Sequence, residues 1–119
     1  MPMKRSLTVL PLLLAVAVPA HATGGMTCKT AGPKPVEAYL VIGHAAGSPL
    51  VSGRMTDAGM AVEVRAAQWW FDASELRLRF VDPQATRVEL TIKARKNGRY
   101  YDGALKRSGR SRWVRCRES

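Results

Sequence analysis

The chain has 119 residues, and removal of an expected export signal over residues 1–22 leaves 97, enough for one small domain over residues 23–119 and too few for two. Nineteen Lys and Arg against nine Asp and Glu give a net charge of +10, which becomes +8 once Lys4 and Arg5 leave with the signal. Hydrophobic residues at 46% and charged residues at 24% exclude a disordered tail, and the length excludes a multidomain enzyme.

The first elements read as an address. Lys4 and Arg5 form a positive n-region, Leu7 to Val18 is apolar apart from Thr8 and Pro11, and Pro19-Ala20-His21-Ala22 offers small residues where a signal peptidase reads. So short an apolar stretch does not cross a bilayer core of about 30 Å, so no transmembrane anchor is expected. Cys28 lies too far past the expected cut for lipid attachment. A mature protein beginning near Thr23 and residing in the periplasm or outside the cell follows.

In such a compartment an even pair of cysteines in a small domain reads as a disulfide, so Cys28 and Cys116 are expected to join the two ends of the mature chain. By loop-closure entropy a bond over so long a span contributes about 4 to 5 kcal/mol. Two cysteines and His44 do not supply a four-ligand metal set, and no cofactor is expected.

From residue 23 onward the hydrophobic period is two. Val36, Ala38, Leu40 and Ile42 alternate with Glu37, Tyr39 and Val41. The nearly uncharged segment from Gly43 to Pro49 then predicts a loop. Val62, Val64 and Ala66 alternate with Glu63 and Arg65, and in Trp69-Trp70-Phe71 the alternation puts one tryptophan in the core with Val62 and Val64 and the other outside near Arg77. Asp72-Ala73-Ser74-Glu75 has the pattern of a capping box for a single helical turn. Leu76, Leu78 and Phe80, and after a loop at Asp82 to Thr86 also Val88, Leu90, Ile92 and Ala94, alternate with charged residues. These segments predict an all-β domain: a small antiparallel meander of six to eight strands, barrel-like or a sandwich, with its termini joined by the disulfide.

The last third carries turn signals sharp enough to predict registers. Asn97-Gly98 as a two-residue turn places Ala94 opposite Tyr101, Ile92 opposite Gly103, Leu90 opposite Leu105, Lys93 opposite Asp102 and Glu89 opposite Lys106. A turn at Ser108-Gly109 places Asp102 opposite Arg115, Tyr100 opposite Arg117 and Ala104 opposite Trp113. The loop at Asp82 to Thr86 places Phe80 opposite Val88, Leu78 opposite Leu90, Arg79 opposite Glu89 and Glu75 opposite Lys93. Four strands then share one charged outer face.

That face is the first candidate site. Arg87 to Ser119 holds eleven basic and three acidic residues, while Thr23 to Thr86 holds six of each, so the whole mature excess of +8 falls in the final third. Arg107, Arg110, Arg112, Arg115 and Arg117 crowd one hairpin with Trp113 among them; guanidinium forks suit phosphate and carboxylate, and indole offers a stacking platform. The expected binding residues are Lys93, Arg95, Arg115, Arg117 and Trp113. Catalytic motifs are lacking: no Gly-x-Ser-x-Gly elbow and no Gly-rich phosphate loop occurs, and a His44 and Ser48 pair has no orienting acid beside it.

A signal peptide, a mature chain near one hundred residues, β-meander patterning and a disulfide joining first and last strands resemble the periplasmic inhibitors of c-type lysozyme in architecture. The inhibitory loop of that family is marked by a Ser-Gly-x-x-Tyr-like segment, and Ser52-Gly53-Arg54-Met55-Thr56 and Ser108-Gly109-Arg110-Ser111-Arg112 both lack the tyrosine. The resemblance therefore implies a fold and a compartment and assigns no residue a role. A basic chain would also meet a basic lysozyme with like charge.

Two function classes follow. One is a non-enzymatic exported binding protein whose basic sheet face engages an anionic envelope polymer or an acidic protein. The other is an inhibitor or immunity-type protein in which a loop such as Gly43 to Gly53 enters a partner's cleft. Export takes the chain away from most nucleic acid, so none is expected as a partner.

Overall fold

Alternating apolar and polar residues, punctuated by Gly and Asp at the turns, fold into β1 (Gly24–Thr30), β2 (Val36–Ala45), β3 (Ser48–Asp57), β4 (Met60–Val62), β5 (Arg65–Phe71), β6 (Glu75–Val81), β7 (Val88–Asn97), β8 (Tyr100–Arg107) and β9 (Arg110–Glu118). The computed structural model describes residues 24–45 and 48–119. The signal expected over residues 1–22, the residues Ala46 and Gly47, and the side chains of residues 44–50, including His44 and Ser48, lie outside the described residues.

The fold is all-β, one antiparallel sheet in the order β4-β3-β2-β1-β9-β8-β7-β6-β5, curled into a half-barrel. Every neighbour is antiparallel, so β4 and β5, at the two ends of the sheet, run in the same sense. They are separated only by Glu63 and Val64 and act as one interrupted strand that leaves β3 and joins β6. The curl is tight enough that a Cβ on Gly53 of β3 would stand 2.8 Å from the Phe80 ring of β6, across the interior.

The even face predicted for β2, β6 and β7 is the core face. Ala38, Leu40, Leu76, Leu78, Phe80, Leu90, Ile92 and Ala94 are buried together with Met26, Met55, Tyr101, Leu105, Val114 and the cystine. Tyr101 satisfies its hydroxyl by donating to the Asp72 carbonyl oxygen at 2.6 Å, which ties β8 to the β5–β6 turn.

Several local expectations are corrected. Where a loop was expected from Gly43 to Pro49, the described residues extend β2 and β3 as paired ends, with Gly43 opposite Leu50, His44 opposite Pro49 and Ala45 opposite Ser48. The expected helical turn at Asp72 is a tight strand connection. The Asp72 carboxylate accepts from Ser74 N, Ser74 Oγ and Glu75 N as an N-cap would, but the chain returns at once into β6.

The Asn97-Gly98 hairpin is shifted by two residues. Gly98 and Arg99 are the turn's central residues, Gly98 alone at positive φ (64°), so the turn is of the II′ kind and Asn97 is left as the last strand residue opposite Tyr100. Ala94 consequently faces Gly103, not Tyr101, and Lys93 faces Ala104, not Asp102. The β6–β7 register also moves by two. Asp82 closes its loop at Arg87 by accepting from Thr86 N and Arg87 N, and a bulge at Glu89 then brings Phe80 opposite Leu90 and Glu75 opposite Arg95. The turn at Ser108-Gly109, with φ of 52° and 74°, has the predicted register.

β1 pairs with β9, and Cys28 lies directly opposite Cys116, where the two are bonded. Disulfides persist in oxidising environments, which points to an extracytoplasmic setting. Among the described residues no helix is long and apolar enough to cross a membrane. Because the bond clamps the pairing of the first and last strands, Cys116→Ser is expected to lower stability by about 2 to 5 kcal/mol in urea unfolding. An unchanged midpoint, or free thiols at both positions in the unreduced and unfolded protein, would contradict this closure.

Candidate binding face

The side chains that alternate away from the core on β6 to β9 and β1 form rows across the strands. One row reads Glu75, Arg95, Asp102, Arg115, Lys29 and Glu37. The next reads Arg77, Lys93, Ala104 and Trp113. Acidic and basic residues interleave in the first row, whereas the second holds cations and no acid.

Asp102 is the hub of the first row. Arg115 donates to it from Nε and Nη2, both at 2.8 Å, and Asn97 Nδ2 donates at 2.9 Å. These Arg115 hydrogen bonds chiefly, against an opposing effect of burial and with help from Asn97, hold the Asp102 pKa at about 2. The Arg115 guanidinium also lies over the Tyr100 ring, 4.3 Å from its centroid, and 5.4 Å from that of Trp113. Arg115 is thus immobilised with its fork already satisfied, and it forms a ridge.

The ridge divides the predicted site into two troughs. A trough of about 570 Å³ lies on the β1 side, lined by Lys29, Tyr100, Trp113, Arg115 and Arg117. The other, about 590 Å³, is lined by Arg77, Lys93 and Arg95, by the carboxylates of Glu75 and Asp102, and by the small residues Ala94, Gly103 and Ala104. Lys93, Arg95 and Arg117 are exposed and make no ion pair among the described residues, and Trp113 is 52% exposed.

Other basic residues of the last third have structural employment. Arg107 turns inward at the end of β8 and donates to Asp57 at 2.7 Å and to Glu89 Oε1 at 2.9 Å, pinning the β3–β4 turn to β7. Glu89, expected on the outer face opposite Lys106, is buried by its bulge and also pairs with Arg87. Arg112 donates to the carbonyl oxygens of Ala31 and Lys34. These two arginines contribute charge to the molecule but offer no free fork to a ligand.

Neither tryptophan of β5 is in the core. Trp69 sits opposite Leu78 on the core side, yet stays 39% exposed because β5 is the sheet's edge. Trp70 faces outward opposite Arg77, 54% exposed, and its Nε1 donates to Asp72 Oδ2 at 3.2 Å. Lys29, Tyr100 and Arg77 were missed as site residues. The disulfide alone carried the signal for Lys29, since pairing Cys28 with Cys116 puts the next residue of β1 opposite Arg115.

Comparison with protein-family models, with curated proteins and with solved structures yields no match.

The Asp102 pair makes a pH-dependent prediction. A carboxylate whose pKa is depressed by folding stabilises the fold above its unfolded value of about 3.9, and that contribution is lost as pH falls toward its folded value. Asp102→Ala is expected to cost about 1 kcal/mol or less at neutral pH. In urea unfolding, the gap between variant and parent should close as pH falls from about 4 to about 2. A gap that persists unchanged in acid would show that Asp102 acts through packing.

Proposed function

We propose that the protein is a non-enzymatic exported binding protein, periplasmic or secreted, which holds an anionic polymer of the cell envelope on the outer face of β6 to β9. The observation that carries this reading is the row of Arg77, Lys93, Ala104 and Trp113, where exposed cations stand beside an exposed indole with no acid between them. Lys93, Arg95 and Arg117 supply charge to phosphate or carboxylate groups. Trp113 supplies a flat apolar surface to the ring that carries them. Arg115 shapes the face and offsets the charge of Asp102 by pairing with it. A polymer with rings satisfies the tryptophan as well as the cations, which an acidic protein surface does only in part.

Lipopolysaccharide is the probe for the test. Binding is expected to weaken steeply with salt, because exposed charges separated by more than about 8 Å are largely screened at physiological ionic strength. Lys93→Ala with Arg117→Ala should weaken binding more than Lys34→Ala with Arg54→Ala, an equal change of charge away from the face. Equal losses from both double variants would mean generic cation exchange. A salt-tolerant, one-to-one protein complex that depends on the β2–β3 hairpin would overturn the reading in favour of an inhibitor or immunity-type protein.

A further inference from the structure

The registers of five strands place a second exposed tryptophan on the same row as the first. Trp70 of β5 lies opposite Arg77 of β6, Arg77 opposite Lys93 of β7, Lys93 opposite Ala104 of β8, and Ala104 opposite Trp113 of β9. The row begins and ends on an indole, has two cations between them, and has its one small side chain beside Trp113. Neighbouring strands are about 4.8 Å apart, so the two rings are separated by about 19 Å along the sheet. The troughs follow the same line. A recess of about 280 Å³ lined by Gln68, Trp69, Trp70 and Arg77 abuts the trough of Arg77, Lys93 and Arg95 through their shared Arg77. Trp113 and Arg115, across from Ala104 and Asp102, then open the β1-side trough.

We infer that the ligand is a linear acidic polysaccharide that crosses the strands at right angles, with one sugar ring stacked on Trp70, another on Trp113, and the acid groups between them on Arg77 and Lys93. The inference rests on the proposed function and extends it in direction, length and ligand class. Both rings are held in place: Asp72 accepts from the Trp70 indole Nε1, and Trp113, 52% exposed beside the small Ala104, lies 5.4 Å from the Arg115 guanidinium. Arg77 is shared with Glu75 at 2.9 Å, whereas Lys93 makes no ion pair among the described residues, so Lys93 is the principal charge of the row. A single-stranded nucleic acid would satisfy the same combination of stacking and charge, but the disulfide points to an environment outside the cytoplasm.

The test uses galacturonate oligomers of increasing length, neutral dextran as the uncharged control, and a single-stranded oligonucleotide of matching length as competitor. Affinity is expected to rise with oligomer length until both tryptophans are spanned, and then to level off. Trp70→Ala should lose about tenfold for the long oligomers and little for digalacturonate bound at Trp113, and Trp70→Tyr should restore most of the loss. The salt dependence should be unchanged in Trp70→Ala and reduced in Lys93→Ala, which separates stacking from charge. Both tryptophans are exposed, so thermal melts of the variants should match the parent. If Trp70→Ala binds long oligomers as tightly as the parent while Lys93→Ala is weakened, the ligand does not reach β5 and the extended site is wrong, though the proposed function stands. Tighter binding of the oligonucleotide than of any galacturonate oligomer, or no binding of galacturonate oligomers by a protein that binds lipopolysaccharide, would overturn the ligand class. Failure to bind any of these polyanions would overturn the proposed function itself.

Discussion

The pairing of Ala94 with Gly103 is the constraint on which the outer face depends. A Cβ at position 103 would stand 2.0 Å from the Lys93 carbonyl oxygen and 2.5 Å from Ala94 Cα, so only glycine permits this approach of β7 and β8. Gly98 supports the same register from the turn, because the II′ geometry asks for positive φ at its first central residue alone. A one-residue slip would turn every core side chain to solvent, whereas a two-residue slip keeps each side chain on its face and changes only its cross-strand neighbours. Which side chains are buried therefore does not distinguish the two hairpin registers; the close approach of Gly103 to Ala94 does, and the composition of the charged rows follows from it. With the observed register Asp102 stands between Arg95 and Arg115, and Lys93 is left beside Ala104.

This explains what could be read from the residues in advance. Period-two alternation in β2, β6 and β7 reported the buried faces, and Ser108-Gly109, whose turn needs two positive φ values, reported its register. Cys28 and Cys116 reported that the chain's ends meet. The two displaced registers have a common cause: each depended on a choice among local hydrogen-bonding patterns of similar sequence signature. Asn97-Gly98 and Gly98-Arg99 both make acceptable turns, and the loop after β6 closes where Asp82 finds its N–H donors, one residue beyond the expected place, before Glu89 bulges. One tryptophan of Trp69-Trp70 was expected in the core and neither is there, because alternation specifies a face and not whether anything covers it; β5 is an edge strand, and its core-side residues are only partly sheltered.

The candidate site was legible as a region rather than as a constellation. Net charge located the basic third of the chain but could not separate arginines that hold the fold from cations that face solvent. Arg107 and Arg112 donate to Asp57, Glu89 and backbone carbonyls at the ends of the half-barrel, and Arg115 is committed to Asp102 and Tyr100. Lys93, Arg95 and Arg117 make up the accessible charge of the predicted set, and β1 adds Lys29. Long-range pairing, through the disulfide and the sheet order, decides these roles.

The central claim is that the β7–β8 register sets the order of charge on the outer face. Cross-strand nuclear Overhauser contacts in the folded protein test it most directly, since the two registers share every buried face but differ in every neighbour. The account predicts backbone contacts between Lys93 and Ala104, Ala94 and Gly103, and Asn97 and Tyr100. Contacts of Lys93 with Asp102, Ala94 with Tyr101 and Lys96 with Arg99 would contradict it, and would place Asp102 between Lys93 and Arg115 instead.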